Sequence, residues 1–187
     1  LPWSIEPVLT QPALVAGDSI PVAVSARDSA GEPLANRLAS LTAGMAHRWP
    51  WAQRADRLSS HFPDYRFVDP WRHSDSEERE CTFSSSSVDL PPTGANGERT
   101  AQLRLPQLPC EFAEIVFSAW PSAGFTLHPG PQARRLLARQ PRYLGLAGLD
   151  RPIVTVGSRL RFGVTAVEIA SLTQRDGVSV RLTVVSD

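Results

Sequence analysis

Reactive side chains are sparse in this chain, and their spacing argues against most catalytic chemistry. His47, His61, His73 and His128 share no element at metal-ligand spacing, and Cys81 and Cys110 form no Cys-x-x-Cys pair, so no metal site is expected. There is no Gly-x-Ser-x-Gly elbow and no glycine-rich phosphate loop, so neither an activated serine nor a nucleotide cofactor is indicated. Glu77, Glu78 and Glu80 cluster around Arg79, where a general acid and base could be sought, but a charge run in a polar connection is ordinarily a solvated face. The expectation is a protein that is not an enzyme and holds no cofactor.

Two other groups of residues remain chemically informative. Trp49, Trp51, Phe62, Tyr65, Phe67 and Trp71 alternate with arginines between residues 46 and 80. Trp49, Trp51, Arg54, Arg57, Tyr65, Trp71 and Arg72 together would make an aromatic and cationic contact surface, because such side chains dominate binding hot spots. The simpler alternative is a self-packed loop that caps one open end of the fold. Cys81 and Cys110 flank predicted strands. Paired in an oxidising compartment they would stabilise by roughly 3 to 4 kcal/mol, and unpaired they would be two buried thiols.

The elements that must position these residues follow from an internal repeat. Pro12-Ala-Leu-Val-Ala-Gly17-Asp-Ser-Ile20-Pro-Val22-Ala-Val24-Ser-Ala26 returns 140 residues later as Pro152-Ile-Val-Thr-Val-Gly157-Ser-Arg-Leu160-Arg-Phe162-Gly-Val164-Thr-Ala166. Apolar residues at every second position after the glycine describe a strand with one buried face, launched by a turn. Two β-domains are therefore expected, residues 1–140 and residues 141–187, the second stopping in mid-fold with an unpaired apolar edge.

Within the first domain the pattern predicts strands over Ser4–Thr10, Ser19–Arg27, Leu34–Met45, Cys81–Leu90, Arg99–Leu105, Glu114–Trp120 and Ala133–Arg139. The turn residues of Asp28-Ser-Ala-Gly31-Glu-Pro33 predict a hairpin between the second and third of these. Period two disappears between Ala46 and Glu80, which reads as an insertion with a short helix over Gln53–Phe62, Ala55 and Leu58 facing inward. In the second domain strands are expected near Arg142–Leu149, Arg159–Val167 and Val178–Val185, with a turn at Gln174–Gly177. Asp89–Glu98 reads as an exposed loop open to proteolysis.

Composition narrows the partners. The 42% hydrophobic and 20% charged fractions belong to a folded globular chain. The 19 basic and 19 acidic residues cancel, which argues against a nucleic-acid groove or an anionic membrane surface. All the basic residues are arginine, most simply the mark of a GC-rich bacterial gene. No apolar run is long enough to cross a bilayer, and the first residues lack the order of a signal peptide, as expected for a piece excised from a mature protein.

The repeated strand launch, Gly31-Glu-Pro-Leu-Ala-Asn-Arg-Leu38, Pro63-Asp-Tyr-Arg-Phe67 and the join Arg139-Gln-Pro-Arg-Tyr-Leu-Gly-Leu146 together resemble bacterial alpha-2-macroglobulin-like proteins. The resemblance implies an all-β fold of tandem antiparallel macroglobulin-like or immunoglobulin-like sandwiches. It also implies a scaffold role in a broad-spectrum inhibitor that traps proteases after bait-region cleavage. Target proteases and neighbouring macroglobulin-like domains would be the partners, in the periplasm and in association with the inner membrane through the parent protein. The family's Cys-x-Glu-Gln thioester pattern is absent, since Cys81 precedes Thr82-Phe83-Ser84 and Cys110 precedes Glu111-Phe112-Ala113. A tandem adhesin-like module that recognises a glycan or protein through its Trp/Arg-rich loop is the alternative. An accessory domain of a carbohydrate-active enzyme has least support, because no motif places paired carboxylates.

Overall fold

The computed structural model describes residues 3–45, 57–67, 82–122, 130–148, 159 and 161–181. Strands dominate them, and the fold class is all-β, as the sequence predicts. One sheet has the order β1-β3-β6, formed by Trp3–Val8, Ser19–Asp28 and Glu98–Arg104. A second has the order β2-β8-β7-β4-β5, formed by Ala13–Val15, Gln132–Ala138, Phe112–Pro121, Ala39–Met45 and Ser86–Leu90. These two sheets face each other as a sandwich. A third, β9-β10-β11, comprises Arg142–Ala147, Gly163–Glu168 and Thr173–Arg175, with β10 in the middle.

Alternation along the strands builds the sandwich core. Ile20, Val22, Val24 and Ala26 of β3 point inward with Ile5 of β1 and Leu103 of β6, and they meet Leu41, Ile115, Phe117 and Leu137 from the facing sheet. Val22, Val24, Leu41 and Phe117 are fully buried, and each such side chain contributes about 1.5–3 kcal/mol of transfer free energy. Gly17, at a φ of 80°, lets the chain turn sharply out of β2 and into β3. β2 itself is not among the strands that the sequence predicts. Its three residues run parallel to Leu136–Ala138 of β8, and so short a segment carries no readable alternation.

Two turns differ from expectation. Asp28 does reverse the chain, its carboxylate accepting hydrogen bonds from the amides of Ala30 at 2.8 Å and Glu32 at 2.9 Å. The predicted hairpin then ends after a single bridge, Arg27 to Pro33. Beyond it the chain crosses to the other sheet, because β3 and β4 both carry apolar faces that are buried only if they oppose each other across the core. Thr93 pins that crossover: its hydroxyl accepts from the Arg37 amide at 3.0 Å and donates to the Leu34 carbonyl at 2.7 Å. In the third sheet the chain reverses after Ile169, with Leu172 at a φ of 51°, so Thr173–Arg175 is the strand β11 and not part of a turn. Val178–Arg181 is not strand, and the rest of the strand expected there lies outside the described residues.

The other departures are of extent. Thr82–Ser85 precede β5 without being strand. The insertion's helix, α1, is one turn over Arg57–His61, and Leu58 faces inward with no exposed surface. Ala55 lies outside the described residues.

Candidate functional site

The third sheet is bound to the sandwich through a second apolar cluster, and the insertion supplies part of it. Ala13, Phe112, Leu136 and Ala138 come from the sandwich, Leu58 and Phe67 from the insertion, and Tyr143, Val167 and Ile169 from the third sheet and its turn. The insertion therefore does not cap an open end of the sandwich, at least over residues 57–67. Instead it enters the junction, where the third sheet offers apolar surface that the sandwich alone leaves partly uncovered.

Phe67 and Gly145 show how closely the parts fit. Arg66 forms a two-hydrogen-bond bridge to Leu146 on the outer edge of β9, at 2.8 and 2.9 Å, so one residue of the insertion extends the third sheet. Phe67 then lies on Gly145, where an added Cβ would come within 2.7 Å of its ring. Phe62 packs on Phe67 with ring centroids 5.9 Å apart. A free sheet edge and a bare patch of backbone, both liabilities by themselves, are thus used for docking.

The polar side of the junction centres on Tyr143. Its ring lies 4.4 Å from that of Phe112, and its hydroxyl meets both the carboxylate of Glu111, at 2.9 Å, and the Glu111 carbonyl, at 3.1 Å. The Gln140 amide donates to the same hydroxyl at 3.2 Å. Burial, and then the hydrogen bond to Glu111, push the ionisation of Tyr143 well above its ordinary range. Arg139, at the connection between sandwich and third sheet, lies 3.5 Å from the other Glu111 oxygen.

Of the sequence-predicted contact surface, Tyr65 is described, and it is half-buried against the second cluster. Arg57 opens α1. Trp49, Trp51, Arg54, Trp71 and Arg72 lie outside the described residues, so the surface as a unit does too. Cys110 is disulfide-bonded, directly before Glu111, while its expected partner Cys81 lies outside the described residues. Among the described residues no group of three or more His, Cys, Asp and Glu side chains could hold a metal ion, and no helix is long and apolar enough to cross a membrane.

An open cleft of about 350 Å³ beside α1 is lined by His61, Glu114, Arg134 and Arg135. Its cations already have structural tasks. Arg135 donates to the carbonyls of Gln11 at 2.7 Å and Leu9 at 2.9 Å, and Arg134 lies 3.7 Å from Glu114.

Tyr143 and Gly145 lie in the join Arg139–Leu146 and Val167 directly follows the second copy of the repeat, and comparing the strand pairs that contain the two copies shows a signal for them. β9 pairs with β10 as β1 pairs with β3, Leu144 facing Ala166 where Ile5 faces Ala26. On the other face, the first copy has Ser4, Glu6 and Arg27 and the second has Tyr143, Gly145 and Val167. Ser4 and Arg27 are exposed, whereas Tyr143 and Val167 are buried in the junction.

No protein-family model matches the sequence, and no curated protein matches it. Among solved structures, the chain is similar to Escherichia coli alpha-2-macroglobulin activated by porcine elastase, with 15% identity over 91% of this chain and a TM-score of 0.45. It is also similar to the trypsin-activated form from Escherichia coli, with 14% identity over 94% of this chain and a TM-score of 0.45. A Salmonella alpha-2-macroglobulin mutant gives 12% identity over 95% of this chain and a TM-score of 0.46. The chain spans 14%, 12% and 12% of the lengths of these three proteins.

Proposed function

We propose that this chain is a scaffold region of a bacterial alpha-2-macroglobulin-like protease inhibitor, two successive macroglobulin-like modules divided near Pro141 and held as one unit. The observation that carries the reading is the three-way junction, in which sandwich, insertion and third sheet share one apolar cluster. A trap that responds to one cut in a bait segment needs modules that transmit displacement to one another, and a packed junction transmits it where a free linker would not. The sequence motifs that resemble that family are the ground for naming the assembly.

The partners are then the target proteases, met by the whole inhibitor, and the neighbouring modules of the same polypeptide. The location is the periplasm, with association to the inner membrane through the parent protein. An oxidising compartment agrees with the disulfide at Cys110. A bonded Cys110 sulfur is also unavailable for a thioester, so covalent capture would fall to another part of the assembly. No catalytic role and no cofactor are assigned to these residues.

The test is incubation of the parent polypeptide with a panel of proteases, following cleavage and residual activity on large and small substrates. Confined cleavage, with activity lost on large substrates and kept on small ones, is expected. Unconfined degradation with both activities unchanged would overturn the reading and favour a tandem binding module.

A further inference from the structure

The loop from β5 to β6 carries a dipeptide with chemistry of its own. Asn96 precedes Gly97, and in an Asn-Gly pair the glycine amide nitrogen can attack the asparagine side-chain carbonyl with no Cβ in its way. Asn36, the other asparagine of the chain, precedes Arg37, whose side chain hinders the same attack. The fold closes the route at Asn96 in two ways. Gly97 donates its N–H to the Gly94 carbonyl at 2.9 Å, so the proton that must leave before attack is engaged. Asn96 is exposed, but its side chain is held at both ends on Glu98: Oδ1 accepts from the Glu98 amide at 3.1 Å, and Nδ2 donates to the Glu98 carboxylate at 3.2 Å. The Gly94 amide donates to the Glu98 carbonyl at 2.9 Å and closes the turn into β6.

The products of such a reaction fit this turn poorly. Isoaspartate adds a methylene to the backbone directly before Gly97, which is buried at a φ of 75° and accepts a hydrogen bond from the Ala26 amide at 2.8 Å. Gly97 has no slack there, since a Cβ on it would lie 2.7 Å from the Ala26 carbonyl oxygen and 2.9 Å from Cβ of Pro33. Aspartate keeps the backbone length but replaces the donor to Glu98 with a second carboxylate, a like-charge pair in place of a hydrogen bond.

We infer that Asn96 is a conformation-gated deamidation site, shut while the turn is formed and reactive when it opens, whose isoaspartate product does not re-form the contact of Gly97 with β3. In the step, the Gly97 nitrogen gives its proton to water and bonds to Cγ of Asn96, and the side-chain nitrogen takes up a proton and leaves as ammonia. Water then opens the cyclic imide to aspartate or isoaspartate, and no other co-reactant is needed. Because β5 and β6 belong to opposite sheets, an opening between the sheets at this end of the sandwich is recorded as a permanent negative charge beside Glu98. The inference stands apart from protease trapping, since it uses only the sandwich and its own turn.

Peptide mass spectrometry of the unsubstituted polypeptide, with its disulfide intact, tests this by following deamidation at Asn96 at neutral pH in buffer and in denaturing urea. Asn96 is expected to react roughly 10-fold or more slowly in buffer, because the rate scales with the population of the open turn. Equal rates would overturn the inference. Exchange of the Gly97 amide should rise in step with deamidation as urea is raised, and deamidation that rises without it would overturn gating by this turn. Chains carrying isoaspartate, separated from unmodified ones and returned to buffer, should exchange the Ala26 amide faster. Exchange there as slow as in the unmodified chain would mean that the product fits, and would overturn the irreversible half of the inference.

Discussion

Gly145→Ala is the sharpest probe of the junction. A glycine in a strand, with ordinary extended backbone, normally gains about 0.4–1 kcal/mol on replacement by alanine, because the unfolded chain loses freedom. Here the new methyl would lie 2.7 and 2.8 Å from two carbons of the Phe67 ring and 3.0 Å from the Thr165 methyl. Carbon atoms in good contact sit at about 3.5–4.0 Å, so the ring must move by close to 1 Å against Phe62 and the rest of the cluster. Overpacking of this kind costs about 1–3 kcal/mol, which outweighs the backbone gain.

Phe67→Ala alone removes the ring and should cost about 3 kcal/mol. In the double variant the methyl enters the space the ring leaves, so its cost should fall at least about 1 kcal/mol below the sum of the singles. Urea denaturation measures all three, and amide exchange at Arg66 and Leu146, whose mutual hydrogen bonds are 2.8 and 2.9 Å, reports the junction itself. A neutral or stabilising Gly145→Ala, or strict additivity, would show that Phe67 is not packed on Gly145 in this way.

Tyr143, Thr93 and Cys110 each offer a separate test. Because burial and Glu111 hold Tyr143 protonated, its stabilising effect is complete below the ordinary tyrosine value of 10.0 and is lost as pH rises beyond it. In a Tyr65→Phe background tyrosinate absorbance should therefore appear well above that pH and together with unfolding, and titration at the ordinary value would contradict this. Thr93→Val keeps the shape but leaves the Arg37 amide and the Leu34 carbonyl without their side-chain partner, which should lower stability by about 1–3 kcal/mol in thermal unfolding. Non-reducing peptide mapping should recover Cys110 linked to Cys81, and reduction should cost about 3 kcal/mol; alkylation of both cysteines without reductant would sink the pairing.

The sandwich is legible in the sequence wherever alternation runs long enough to define a face, as in β3 and β4. The strand pairing after β3 is not, because turn chemistry at Asp28–Pro33 says that the chain reverses but not which sheet it joins next. β11 is obscured for a related reason: Asp176-Gly177 advertises a turn more strongly than Ile169–Leu172, where a non-glycine residue takes the left-handed conformation. The junction is the least legible part. Pro63–Phe67 and Arg142–Leu146 stand out as motifs, but only the fold shows that one lies on the other. The aromatic residues of the insertion suggest a ligand surface because binding and packing draw on the same side chains, and Phe67 and Tyr65 turn out to pack.

The proposed scaffold role requires sandwich and third sheet to move as one body. Residual dipolar couplings of backbone amides in β3 and β7, compared with those in β9 and β10, measure whether they do. One alignment tensor should fit both sets, with the junction geometry described here. Two independent tensors would mean that the modules are hinged, and would contradict a scaffold that passes displacement from one to the next.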